Sequence, residues 1–439
     1  MARFRRKVFV ATNRGPHEPA AHFPRTTVSQ QTDSYRLDPR VAARARTPLL
    51  IIAVIGWVLC IIGFAVPGLR EQFHFSYHMS FIYFTTITLG ALFFVMVQRL
   101  TTAGWSVVVR RIAEVIAANF WLIAILFIPI AIGVIYPPHG HSGAIEYFEW
   151  NRLWHDPGSV ANDQVLQHKK GYFELSFFFA RAVFYLLIWS VVSWQLYRHS
   201  TAQDDDGNPE HARYSFRWAA AGFPLFFIFG TLAIFDWIMS LAPHWFSTAF
   251  GLYNLAGGGL GFMGVLILIC AWLRSNNTLR HSITIEHYHD MGKLLFTFMI
   301  FWAYVGFSQY MLIWYANQSE ETFYFHDRLR GSWSAVTWLL AVGHFILPFI
   351  LLLSRDIKRN VFTLSLAAGW MLLMHLVDVY WMVMPALHKS GVGLHWLDLA
   401  ALMAVGGTLG VAFIRLLGKH SLVPVRDPFL TESLAFENA

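Results

Sequence analysis

Apolar residues in this chain gather into ten long runs, separated by short segments that hold most of the charge. The hydrocarbon core of a bilayer is about 30 Å thick and takes roughly 20 apolar residues per helix. The runs Leu49–Phe64, Tyr77–Val97, Ala113–Tyr136, Leu175–Tyr197, Phe216–Met239, Phe246–Leu273, Leu294–Trp314, Val336–Leu353, Val361–Met384 and Leu397–Leu417 fit that demand. The first is the shortest and extends to Leu69 if Pro67 is tolerated. The pattern predicts an all-α integral membrane protein with ten transmembrane helices. It divides the chain into an N-terminal tail over 1–46, a membrane domain over 47–417 and a C-terminal tail over 418–439.

Composition agrees and adds an orientation. Charged residues are 13% of the chain, against about 25% in globular proteins. Placing the N-terminus in the cytoplasm puts 25 Lys and Arg on the cytoplasmic side and seven opposite: Arg70, Arg152, Lys169, Lys170, Arg328, Arg330 and Lys389. Arg181 falls within a span. This asymmetry follows the positive-inside rule and places both termini in the cytoplasm. The net charge of +7 is thereby explained without nucleic acid; the basic residues orient the chain and meet lipid headgroups. The Arg-rich, acid-poor tail reads as cytoplasmic, with an organelle transit peptide as the rival.

The two cysteines, Cys60 and Cys270, lie in apolar runs, and no CxxC or CxxCH occurs. That argues against iron–sulfur ligation and covalent haem in this chain. His78, His344 and His375 lie on three different spans without spaced second copies, so b-type haem is not expected either.

Ionisable residues inside a membrane are costly and mark candidate chemistry. His375 and Asp378 are three apart in the ninth span and share a face; with Tyr380 and Trp381 nearby they form the leading proton-relay candidate. His344 lies mid-span in the eighth, four residues before Pro348, where a kink frees a backbone carbonyl. The plainer reading of these residues is satisfied hydrogen bonding between helices. Asp236, with Ser240 one turn on, sits near the outer end of the fifth span, and His78 lies at similar depth in the second. A His and an Asp at one depth suit the two protons of a quinol; a structural carboxylate and an interfacial histidine are the alternatives. Glu174 and Arg181 share a face about 10 Å apart, so each is expected to find another partner. Glu114, after Arg110 and Arg111, reads as a helix-end ion pair. The long outer loops Tyr136–Gly171 and Ala316–Ser332 hold Glu146, Tyr147, Glu149 and Trp150, and Glu320, Glu321, Tyr324 and His326. They suit either an external partner or an interfacial aromatic belt.

Several strings resemble one family. The run from Phe235 through Asp236-Trp237-Ile238-Met239-Ser240 to Pro243-His244-Trp245-Phe246-Ser247-Thr248 resembles the DWIMSLxPHW[FY]ST signature of NrfD-like (polysulfide reductase-type) membrane subunits. Gln309-Tyr310-Met311-Leu312-Ile313-Trp314-Tyr315-Ala316-Asn317, then Glu320-Glu321-Thr322, resembles the same group, as does Gly343-His344-Phe345 with Pro348, Ser354-Arg355 and Lys358. Val377-Asp378-Val379-Tyr380-Trp381 before Met384-Pro385 is similar to the ActF-like subunits of bacterial alternative complex III.

The resemblance implies two four-helix bundles, spans two to five and six to nine, flanked by the first and last helices. It implies a bacterial inner-membrane subunit of a quinol:cytochrome c oxidoreductase. The implied partners are a paralogous ActC-like subunit, a periplasmic iron–sulfur/molybdopterin-like subunit, multihaem c-type cytochromes and a terminal oxidase. Those partners would carry the iron–sulfur clusters and haem c, and the ActC-like subunit would host the quinol. For this chain the leading expectation is anchoring and a proton path, with His344, His375, Asp378, Tyr380, Arg181 and Glu174 as its candidates, His78, Asp236 and Ser240 as quinol-site candidates and menaquinol as the donor. A secondary transporter is the alternative, because Gly257-Gly258-Gly259 hints at a broken helix.

Overall fold

The computed structural model describes residues 33–138 and 147–438. Within them the chain is helical, with no strand, and ten helices are long and apolar enough to cross a membrane. We label them α1 (Pro39–Ala65), α2 (Pro67–Leu100), α3 (Val107–Ile135), α4 (Leu175–Asp206), α5 (Glu210–Leu241), α6 (Phe250–Ser275), α7 (Ile285–Ala316), α8 (Trp333–Leu353), α9 (Val361–Ala386) and α10 (Trp396–Leu417).

Most helices overrun the apolar runs that announce them. The first begins at Pro39, inside the segment expected to be tail, because Asp38 caps it by accepting from the Arg40 N–H at 2.7 Å and Pro39 occupies the first turn. Proline at that position loses no helical bond. Arg40, Arg44 and Arg46 then ride the helix in exposed positions. The rest of the expected N-terminal tail, residues 1–32, lies outside the described residues. Likewise α7 starts at Ile285, under a capping box formed by Thr284 and His287. Hydropathy marks the part of a helix that lipid requires; backbone bonding carries the helix on past it.

The core lies along α2 and α6. The most apolar stretch of α2 is 83% buried and that of α6 72%, against 22–50% in the other eight. The two cross at close range: a Cβ on Gly90 would sit 2.3 Å from the Gly258 carbonyl oxygen, and one on Gly258 2.4 Å from that of Thr86. Small residues permit such an approach between membrane helices, where packing rather than water release drives association. Around this pair, α2 touches α3, α5, α9 and α10, and α6 touches α5, α7 and α9. The first helix packs on the last, where Gly56 faces the Ala404 backbone and Gly407 faces Ala53.

Two spans are irregular. The third is interrupted around Ala118–Asn119 and at Phe127, just before Pro129. The eighth holds a π-helical stretch, Leu340–Ile346, ahead of Pro348. Proline lacks the N–H that would bond the carbonyl four residues back, and a widened turn absorbs the misfit around His344.

On the face opposite the termini, the described parts of the two long loops are folded caps. Tyr147, Phe148 and Trp150 are fully buried, and Trp150 stacks on Phe173 at 5.0 Å. Glu146 lies outside the described residues. The second loop forms a short helix, Ser319–Arg328, whose Tyr324 stacks on Trp245 at 3.8 Å. The aromatic residues that looked available to a partner are thus turned inward, while Glu320 and His326 stay exposed.

The opposite face carries a buried charge cluster. Glu114 accepts from Arg99 at 3.0 Å and Arg111 at 3.1 Å, with Arg110 at 3.4 Å. Arg111 also meets Asp204 at 2.8 Å, and Asp427 pairs with Arg110 and Arg99. The ion pair expected at Glu114 therefore extends into a network closed by the C-terminal segment. That segment lies on the helix ends: the Leu422 N–H donates to the Tyr35 carbonyl at 2.7 Å, and the Ser433 hydroxyl donates to that of Trp105 at 2.7 Å.

Burial alone would raise the Asp427 carboxyl, but the guanidinium groups of Arg110 and Arg99 outweigh it and hold the group below its usual range. A carboxyl depressed in the fold stabilises above its unfolded value, about 3.9, and loses that contribution as pH falls through the lower folded value. The C-terminal segment should therefore stay docked from neutrality to about pH 4 and loosen below it. A spin label at Glu437→Cys reads this directly, since Cys60 and Cys270 are buried. Unchanged label mobility between neutral and strongly acid pH would refute the assignment.

Candidate functional site

The site is built by five spans around the C-terminal half of α9. Asp378 is buried and accepts the Tyr253 hydroxyl from α6 and the Trp302 indole N–H from α7 at 3.0 Å. The same indole packs at a tilt against His344 of α8, with ring centres 3.9 Å apart. His375, one turn before Asp378 on α9, bonds the Thr86 hydroxyl of α2 through Nε2 at 3.1 Å and lies 5.4 Å from the Tyr83 ring. The structure thus brings His344, His375 and Asp378 into one polar cluster. Trp302 is shared between His344 and Asp378, and Tyr253 is the second donor to the carboxylate.

The glycines of α6 make room for it. A Cβ on Gly257 would lie 3.2 Å from the His375 ring, and one on Gly261 2.9 Å from its Cδ2. This accounts for the glycine run that hinted at a transporter. The helix is continuous from Phe250 to Ser275, so the run serves helix crossing and the imidazole rather than a break.

The cluster leaves polar capacity unused. Among the described residues neither ring nitrogen of His344 has a hydrogen-bond partner, nor has Nδ1 of His375. Buried polar groups are nearly always paired, so such orphans call for a reason. Two imidazoles with open nitrogens flanking a carboxylate can hand a proton on if water bridges them.

The other candidates fall elsewhere. Tyr380 donates to the Gly393 carbonyl at 2.8 Å, at the outer end of α9. Arg181 clamps Asp236 through two bonds, Nε at 2.8 Å and Nη2 at 2.9 Å. Glu174 caps α4 by accepting from the Phe177 N–H at 3.0 Å and from Ser176, contacts that hold its carboxylate below the usual range. Arg181 and Glu174 therefore stand apart from the His344 cluster, as the 10 Å spacing foreshadows for the pair itself.

Asp236 is a fully engaged carboxylate. Besides Arg181 it accepts Tyr172 at 2.7 Å and Tyr185 at 3.0 Å. Ser240 donates to the Asp236 backbone carbonyl, not to the carboxylate. His78 takes different partners, with Nδ1 3.2 Å from the Tyr147 hydroxyl and the ring also turned to the Trp237 backbone. No hydrogen bond joins His78 to Asp236 among the described residues. The geometry favours the structural reading of Asp236 and gives His78 partners of its own.

Sequence reasoning missed Tyr253, Trp302 and Thr86. Tyr253, one turn inside α6, carried no legible signal, because aromatic residues are ordinary in apolar spans. Trp302, near the middle of α7, carried none. Among the described residues no three His, Cys, Asp or Glu side chains converge as a metal site. Set against models of known families and against curated proteins, the sequence matches none.

Proposed function

We propose that this chain is an NrfD-like membrane subunit of a bacterial quinol:cytochrome c oxidoreductase, with both termini in the cytoplasm. It anchors the complex and passes protons through the His344–His375–Asp378 cluster. The observation that carries the reading is this cluster: five spans converge on a buried carboxylate and two imidazoles with three open ring nitrogens. Such groups cost several kcal/mol inside a bilayer, in round numbers about 2.5–3.5 per charge, so a chain that keeps them is expected to use them. The sequence strings that resemble NrfD-like subunits supply the complex. Menaquinol would give electrons to iron–sulfur centres and haem c held by partner subunits. The ActC-like partner is the expected host of the quinol, since Asp236 here is occupied by Arg181. The continuous α6 offers no support to the transporter alternative.

The test is purification. An affinity-tagged chain taken gently from native membranes should bring c-type haem and iron–sulfur subunits in fixed ratio, read by visible spectra and mass spectrometry. A lone, colourless protein would overturn membership of such a complex.

A further inference from the structure

A cavity of about 400 Å³ opens at the face opposite the termini, between the ends of α5, α8 and α9 and the short helix Ser319–Arg328. Its innermost charge is Arg328, which is 6% exposed. The guanidinium has five N–H donors. Three are spent on backbone carbonyls, from Nε to Trp381 at 3.2 Å, Nη1 to Tyr324 at 3.0 Å and Nη2 to Met382 at 3.2 Å. It also lies over the Tyr324 ring at 3.5 Å. No carboxylate pairs with it among the described residues, and two N–H groups remain.

A buried cation without a counter-ion is costly, and this one borders a void. The other charges of the cavity stand at its edge. Asp327 and Lys389 are exposed, Glu149 is answered by Arg152 at 3.8 Å, and His244 is held by Asp163 at 2.7 Å. Depth therefore selects for an anion, while the carboxylates stay at the rim. Trp333, Phe323 and Pro385 complete an apolar wall. One turn below, Trp338 is 67% exposed, the position of an interfacial aromatic anchor. The cavity thus sits at headgroup level.

We propose that this cavity binds a phosphate oxyanion presented by a lipid headgroup, seated on the two free N–H groups of Arg328. Arginine suits phosphate because its planar fork offers paired donors. The site is independent of the proton path and of the complex proposed above.

The test uses the full chain in nanodiscs of phosphatidylcholine, with phosphatidylglycerol added in steps and, separately, inorganic phosphate in solution. Phosphatidylglycerol should raise the unfolding midpoint in a saturable way. In Arg328→Lys the apparent affinity should fall roughly tenfold, the worth of one charge-assisted hydrogen bond. Because that variant also disturbs three carbonyls, Ala386→Phe supplies a second test: it fills the cavity and leaves those bonds in place. It should abolish the shift. A response to phosphatidylglycerol alone assigns the oxyanion to lipid; an equal response to inorganic phosphate overturns the lipid source. No shift with either, or shifts unchanged in both variants, overturns the site.

Discussion

Gly258→Ala should destabilise the protein by up to about 2 kcal/mol net, although alanine is the better helix former. The propensity gain is about 1 kcal/mol. Against it stands a methyl group placed 2.4 Å from the Thr86 carbonyl oxygen and 2.9 Å from its carbon. Both atoms are backbone, so neither can rotate away. Relief requires α2 and α6 to separate, and Gly90 is pressed on the same crossing from the other side. Overpacking of this kind costs typically about 1–3 kcal/mol, occasionally more. The control is Gly369→Ala on α9, where nothing lies within 4 Å of the added Cβ; it should be neutral or stabilising by up to about 1 kcal/mol. Thermal unfolding in one detergent compares the two. Equal effects at the two positions would mean that the crossing is not tight.

Asp378→Asn should lower proton release per electron transferred while the complex stays assembled. Asparagine has nearly the same shape and keeps an acceptor for the Trp302 N–H. What it loses is the ability to take up and return a proton. General acid–base groups typically contribute on the order of 10²–10⁴-fold to a proton-transfer step, so a hundredfold slowing is a reasonable expectation if Asp378 lies on the path. Asp378→Ala is the harsher change, because Tyr253 and Trp302 are then buried without an acceptor, at about 1–3 kcal/mol for each. It should lower assembly as well. Proton release and quinol-dependent turnover, measured on purified complex with subunit ratios checked, decide the matter. Unchanged proton coupling in a correctly assembled Asp378→Asn complex would sink the relay and leave a structural carboxylate.

The ten spans were legible because lipid imposes one demand on every residue that faces it, and ten apolar runs meet it. Their ends were less so. Residues 39–46 read as tail from their arginines, yet Asp38 and Pro39 begin a helix that carries those arginines in exposed positions. The loops misled in a similar way: Tyr147, Trp150 and Tyr324 look like surface aromatics by position but stack inside caps.

Within the site, sequence picked out the residues that are expensive to bury and not the residues that receive them. His344, His375 and Asp378 stand out in apolar runs; Tyr253 and Trp302 do not, because aromatic residues are ordinary there. Depth matching put His78 level with Asp236, yet depth says nothing of angle around a helix, and each found another partner. Arg181 has no carboxylate within one turn of it in its own span. Its partner came from the adjacent span, the pairing that sequence separation hides.

The charge cluster on the terminal face has a consequence for how the protein is made. Arg99 and Arg110 enter with the second and third spans, whereas Asp427 follows the tenth. Until then only Glu114 and, from the end of the fourth span, Asp204 answer Arg99, Arg110 and Arg111, and the half-built protein exposes a cationic patch beside the membrane. Insertion intermediates should therefore look different from the finished protein to any chaperone or protease that reads charge. The last carboxylate to arrive removes the mark, so the cluster records whether all ten helices are in place.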